Sequence, residues 1–436
     1  METKNFFHSV TLDREKCHGC INCVKRCPTE AIRVRGGKAI IITERCIDCG
    51  ECIRICPHHA KQAIFDPISI MDEYEYKIAL PAPSLYGQFN NLDDVDLILG
   101  ALKLMGFDEV FEVAKAAELV SDATRKYMLR PDIPRPVISS ACPAVLRLIR
   151  VRFPELLENV LPLHPPIEVA ARLAKRKAAQ KTGLPYEKIG AIFISPCPAK
   201  VTAVKMPLGT EKSWVDGVLA IRDVYPRLIS LMRHVPASQE LSEAGRLGVG
   251  WGGSGGEAAA VLKERYLAAD GIENVIRVLE DLEDEKFYDL DFVELNACSG
   301  GCVGGVLNVE NPYVARAKLE RVRKYRPVSC NRLPDEDIMP YAWESPVEYE
   351  PVLELDADLK VAMEKMKQMR EIEGRLYGMD CGSCGAPSCK AMAEDIVRGF
   401  STEESCIFKL REEIQTMADG LSRISSVLPK ASQENK

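Results

Sequence analysis

The sequence predicts an α/β protein. A central domain of two lobes, with twisted, mostly parallel sheets flanked by helices, is preceded by a small α+β module and followed by a small helical one. Two observations carry this. From about Ile78 to Ala342 short apolar runs alternate with amphipathic stretches, the rhythm of strands that return through helices to a parallel sheet. At either end the long apolar runs give way to tight cysteine spacings punctuated by Gly and Pro. The divisions expected are residues 1–70, 71–345 and 346–408, with a helix and tail over 409–436.

Composition narrows the class. With 46% apolar and 28% charged residues the chain reads as an ordinary soluble globular protein. A net charge of -7 argues against nucleic acid as a partner, which would call for a basic face. No run of 18 apolar residues is present, so no membrane span is expected. The opening METKNFFHSVTLDREKC lacks a signal-peptide core, so the expected location is the cytoplasm, where thiols stay reduced. The 17 cysteines therefore read as metal ligands rather than disulfides. All but Cys330 fall into four sets of four.

Each element follows in order. CHGCINCVKRCP (17–28) and CIDCGECIRICP (46–57) both carry the C-x2-C-x2-C-x3-C-P pattern of bacterial two-cluster ferredoxins. Three thiolates two residues apart wrap one four-iron cubane, and the fourth points to the other. The first set is then Cys17, Cys20, Cys23 and Cys56, and the second is Cys46, Cys49, Cys52 and Cys27. Between the runs, AIRVRGGKAIIITER reads as a hairpin turning at Gly36-Gly37. Structural zinc is the alternative for C-x2-C pairs; two identical four-cysteine runs, each closed by Pro, favour cubanes. His58 and His59 read as solvated loop residues.

In the middle domain five apolar runs end in small or special residues: KIALPAPS (77–84), PVISSACPA (136–144), IGAIFISPCPAK (189–200), LGVGWGGSGG (247–256) and DFVELNACSGGCVGG (291–305). Three of them hold Cys142, Cys197, Cys298 and Cys302. Sites in open α/β sheets form beyond the carboxyl ends of strands, so these thiols are expected to converge on one buried cluster. Scattered buried cysteines acting as small hydrophobes are the bland alternative.

These loops resemble, in order and spacing, the three signature motifs of the iron–iron hydrogenase catalytic domain. The resemblance, taken with both flanking modules, extends to about residue 407. It implies reversible oxidation of dihydrogen to protons and electrons at an H-cluster. In that centre a cubane held by Cys142, Cys197, Cys298 and Cys302 is bridged by Cys302 to a diiron azadithiolate unit with carbonyl and cyanide ligands. It also implies that Lys200 binds one cyanide, that Ser84 beside Pro83 faces the other, and that Trp251 lies over the diiron unit. Pro83, Pro196 and Gly252 are expected around the cofactor, the glycine permitting close backbone approach.

Several positions depart from the turnover enzymes of the family. Ala141 stands where they carry a proton-passing cysteine, Ser195 and Asn296 replace methionines, Ala203 a glutamate, and Pro166 a glutamine beside His164. A positioned acid or base contributes roughly a hundred- to ten-thousandfold to a rate, so slow turnover is expected. His164 or an ordered water chain is a candidate substitute path. The changed positions resemble those of the family's sensory branches, which implies a slow hydrogenase used for sensing and coupled to a separate redox or signalling protein. The alternative is a non-catalytic electron-transfer or cluster-assembly protein with only a cubane at the central site.

After SPVEYEPVLELD (345–356) an amphipathic helix is expected around 357–376, and another over 388–399. Cys381, Cys384, Cys389 and Cys406 follow a C-x2-C-x4-C-x16-C spacing that resembles a small cubane-binding domain of redox enzymes. This fourth cubane reads as a second electron terminal, with zinc as the alternative. Leu410, Ile414, Met417, Leu421, Ile424 and Leu428 then recur at heptad spacing, compatible with a homodimer, a partner helix, or a helix docked on its own protein. The closing PKASQENK is expected to fray.

Overall fold

In the computed structural model the described residues are 6–90, 92, 94–236, 240–334 and 337–427. Leu428 and the PKASQENK tail lie outside them.

The first module is built on β1 (Val10–Leu12), β2 (Ile32–Arg35), β3 (Lys38–Ile41) and β4 (Lys61–Ala63). β2 and β3 form the hairpin expected at Gly36-Gly37, both glycines having positive φ, and β1 pairs antiparallel with β4. The chain can therefore leave and re-enter beside itself while each cysteine run wraps in the loops between.

The central domain contains β5 (Tyr76–Pro81), β6 (Glu109–Val110), β7 (Val137–Ile138), β8 (Ile189–Ser195), β9 (Gly217–Ala220), β10 (Tyr266–Asp270) and β11 (Phe292–Asn296). One sheet runs β6-β5-β8-β9 and the other β10-β11-β7, every pair parallel. Both faces of the larger sheet are covered by helices, so β8 is buried at all seven positions, IGAIFIS, with no alternation. Two apolar cores result, one centred on Ile78, Leu80, Ala191 and Phe193, the other on Ala79, Ile192, Ile194 and Leu219. The smaller sheet packs its Val293 and Leu295 against Val145 and Leu148 of helix Pro143–Arg152.

One apolar run differs from its expectation. LGVGWGGSGG forms a short helix, Arg246–Gly250, and a turn instead of a strand. Its glycines permit a helix crossing too tight for side chains: a Cβ on Gly248 would lie 2.0 Å from the Ala114 carbonyl oxygen of helix Val113–Tyr127.

The C-terminal module consists of helices Leu359–Arg375 and Cys389–Val397 and the long helix Ile407–Val427. It docks on the first module rather than on the central domain. Arg33 donates to Asp395 at 2.7 Å, both side chains 5% exposed. Arg35 also pairs with Asp395, Arg45 with Glu394, and Val34 N donates to the Gly385 carbonyl at 2.9 Å. On the last helix Leu410, Ile414, Met417, Leu421 and Ile424 are all exposed.

Breaking a buried pair strands its partner's charge and costs about 3–5 kcal/mol. Asp395→Ala is therefore expected to release the C-terminal module, measured as cleavage within residues 345–356 at protease levels that spare the unaltered protein.

Candidate iron–sulfur and catalytic centre

The carboxyl ends of β5, β7, β8 and β11 point into one crevice between the sheets. β8 ends at Ser195, whose Oγ accepts from Cys197 N at 3.3 Å and donates to the Cys197 carbonyl at 2.9 Å, so the turn holding this cysteine is fixed by the residue that replaces the usual methionine. Helix Pro198–Lys205 starts directly after and carries Lys200 back towards the loop of Cys302; the Lys200 Nζ lies 3.6 Å from the Cys302 Sγ. Cys142 caps helix Pro143–Arg152, and Cys298 and Cys302 follow β11.

These four thiols face one another. Burial pushes the Cys197 thiol up to about 11, and Cys302 and Cys142 add to the shift while Lys200 opposes it. Burial raises Cys298 and Cys302 as well. Lys200 experiences the converse. Burial pulls its ammonium towards neutrality, but Cys302, Cys197, Cys142 and Cys298 outweigh that and hold its pKa above the ordinary lysine value.

Beside Cys302 opens a cavity of about 570 Å³ including its mouth. Pro83, Pro196, Lys200, Trp251 and Ala141 line it. The Trp251 indole N–H donates to the Ser121 Oγ at 3.0 Å, which sets the ring's orientation. Ser84 is fully buried, and its Oγ has no hydrogen-bond partner among the described residues. A buried hydroxyl without a partner costs free energy, but Ser84 is not among the residues lining this cavity, which its neighbours Ala82 and Pro83 reach. The space at Gly252 is taken by protein: a Cβ there would lie 2.9 Å from the backbone nitrogen of Ser84. Its lack of a side chain brings the two loops together.

Sequence reasoning missed the carboxyl pair on the cavity wall. Glu257 accepts from the Ser139 Oγ at 2.6 Å, and Ser139 in turn accepts from the Ala141 backbone N–H at 3.1 Å. Glu294 accepts from Gly255 N, Ala258 N and the Asn296 Nδ2 at 2.9, 2.8 and 2.7 Å. Burial first, and the Glu294 charge second, push Glu257 up to about 8. The only available signal was a glutamate inside an otherwise apolar strand, FVELN. His164 is buried, and burial lowers its pKa, but it is not among the residues lining this cavity.

The flanking cysteines gather in sets. Cys27, Cys46, Cys49 and Cys52 line one cavity of about 350 Å³, and Cys381, Cys384, Cys389 and Cys406 another of about 370 Å³. Cys23, pushed up to about 11 mainly by burial, faces Cys20, Cys56 and Cys17. A tetrahedral zinc with bonds of about 2.3 Å needs sulfurs about 3.8 Å apart. Among the described residues the His/Cys/Asp/Glu group whose ligand atoms all lie within 4.8 Å is His8, Cys46 and Asp48, and no four-cysteine set is so tight. The wider spacing suits a larger inorganic core.

The sets adjoin in sequence. Cys49 of the second set feels the charge of Cys298, and Arg54 donates to the Gly304 carbonyl at 2.8 Å. Ser9 donates to the Pro198 carbonyl at 2.7 Å, and Asp48 accepts from Thr202 at 2.9 Å, tying the first module to the helix of Lys200. Cys52 feels Cys23 of the first set, and Lys25, beside that set, donates to the Pro387 carbonyl of the C-terminal module at 2.8 Å.

A parallel-sheet domain with thiols at its strand tips, flanked by two cysteine-wrapped modules, defines an iron–sulfur protein of several centres. Comparison with known families specifies which. Residues 75–268 and 263–306 match the iron only hydrogenase large subunit, C-terminal domain, residues 9–57 the 4Fe-4S dicluster domain, and residues 376–408 an Fe-S cluster domain. The chain belongs to the iron-only, or iron–iron, hydrogenase family. Iron hydrogenase 1 of Clostridium pasteurianum is 25% identical over 389 residues, covering 72% of this chain and 67% of that protein. The periplasmic iron hydrogenase large subunit of Nitratidesulfovibrio vulgaris is 30% identical over 213 residues, 44% of this chain and 50% of that one. The chain thus spans about two thirds of the first relative and half of the second. A solved hydrogenase variant from Chlamydomonas reinhardtii overlaps with a TM-score of 0.44 at 16% identity, covering 56% of this chain and 83% of that one. No helix among the described residues is long and apolar enough to cross a membrane.

The raised Glu257 sets a pH signature. The folded state holds this proton more tightly than the unfolded chain, so the stability it contributes is complete below the ordinary glutamate range and is lost as pH rises towards about 8. Glu257→Gln is expected to flatten that decline, checked by denaturant midpoints of both proteins across pH 5 to about 8.

Proposed function

We propose that this protein oxidises dihydrogen reversibly to protons and electrons, slowly, and that the outcome is used for sensing through a separate redox or signalling protein. Four cubanes would be held by the four cysteine sets, and a diiron carbonyl/cyanide unit would lie in the cavity beside Cys302. When bound, that unit supplies the polarisation and splitting of dihydrogen. The single observation carrying this reading is the Lys200 ammonium, buried 3.6 Å from Cys302 on the wall of a cavity that Pro83, Trp251 and Glu257 also line. A buried cation on the wall of a cavity suits an anionic group within it.

The chain's own residues have defined tasks. Lys200 and Ser84 would orient the group, Trp251 and the two prolines would exclude water, and Cys302 would anchor it. Ala141 can neither donate nor accept a proton, which supports the slow rate. A proton at this wall would be held instead by Glu257, whose carboxyl reaches the Ala141 backbone through Ser139. The same chemistry favours dihydrogen binding over a site holding a cubane alone, because an electron carrier has no use for a cavity walled by a proton-holding carboxyl.

Infrared spectra after loading with the diiron group are the direct test. Metal-bound cyanide and carbonyl bands are expected, with the cyanide bands shifted in Lys200→Met; their absence refutes the reading. Dihydrogen-dependent dye reduction should then rise at least several-fold in Ala141→Cys, and an unchanged rate would remove the relay argument.

A further inference from the structure

β4 begins at Lys61, five residues after Cys56, in register with Leu12 of β1. Strand alternation turns this side chain inward, and the residue is 3% exposed. A buried lysine normally threads its terminal nitrogen back to water. Here the Nζ is sealed from solvent and has no hydrogen-bond partner among the described residues. Such an ammonium is costly to bury unless charge of the opposite sign compensates it. Thiols from both neighbouring sets face it: its charge acts on Cys23 and Cys56 of the first, and on Cys27 and Cys52 of the second.

We propose that Lys61 is a counter-ion shared by the two N-terminal cubanes, holding both at a higher reduction potential than their ligand wraps alone would set. This rests on both sets carrying cubanes, as proposed above, and not on the diiron group. Each reduction adds one electron to a cubane and makes or breaks no bond. The added negative charge is stabilised by a fixed positive charge in a poorly screened interior.

The test compares Lys61→Met and Lys61→Arg in the full chain, each assayed for iron and sulfide and titrated with dithionite while the cubane signals are followed by electron paramagnetic resonance. Iron content decides first whether the cubanes are present in the unaltered protein. In loaded Lys61→Met both N-terminal midpoints should fall by at least a tenfold change in the reduction equilibrium, 59 mV for one electron. The C-terminal cubane should stay unmoved, and Lys61→Arg should stay near the unaltered values. Loss of both cubanes in Lys61→Met with normal loading in Lys61→Arg also supports the charge requirement. Unmoved midpoints in loaded Lys61→Met, or equal effects of both substitutions, would overturn it.

Discussion

Placing many sulfur donors in a dry interior is the constraint on which the rest of this structure depends. A buried thiol resists ionisation, and burial raises Cys46, Cys49, Cys52 and Cys298 accordingly. Iron reverses that preference, since a coordinated thiol gives up its proton. The wraps are thus ligand frames whose own interactions supply little of their cohesion. Their surroundings show the same logic, with Lys200 and Lys61 turned inward towards them.

Much of the architecture was legible because parallel strands buried on both faces are written as unbroken apolar runs. IGAIFIS is such a run, and both it and the strand FVELN, which Glu294 interrupts, end at a residue that starts a cysteine loop, so order and placement followed directly. The 247–256 run was less transparent. Leu247, Val249 and Trp251 alternate with glycines as a strand would, and only the tertiary crossing with helix Val113–Tyr127 makes a helix the better solution. At the site, residues with a chemical signature in a motif, such as Lys200 and Cys302, could be read. Glu257 and Ser139 could not, because their pairing spans a sequence separation of 118 residues and belongs to no local pattern.

The central cavity sets unlike electrostatic demands side by side. Its thiols require a cation, met by Lys200, while its lining also includes two carboxyls, Glu257 and Glu294, and the charge of the second opposes ionisation of the first. Burial raises both carboxyls, but Glu294 is supplied with three donors that oppose the rise and Glu257 with one hydroxyl, so Glu257 is the stronger holder of a proton. Hydrogen-bond supply thus divides a symmetric pair into unlike members. The Ser195 hydroxyl acts comparably on the Cys197 turn, giving a polar lock where a flexible thioether would only fill space.

The docking of the C-terminal module has an architectural consequence. Because Asp395 and Glu394 grip Arg33, Arg35 and Arg45 of the first module, the last cysteine wrap is stacked behind the earlier two rather than set against the central cavity. With a cluster in each set, as proposed, the C-terminal one would reach the central cavity only by way of the first module. Emptying either set of the first module would then cut the last wrap off from the central cavity while leaving its own ligands intact.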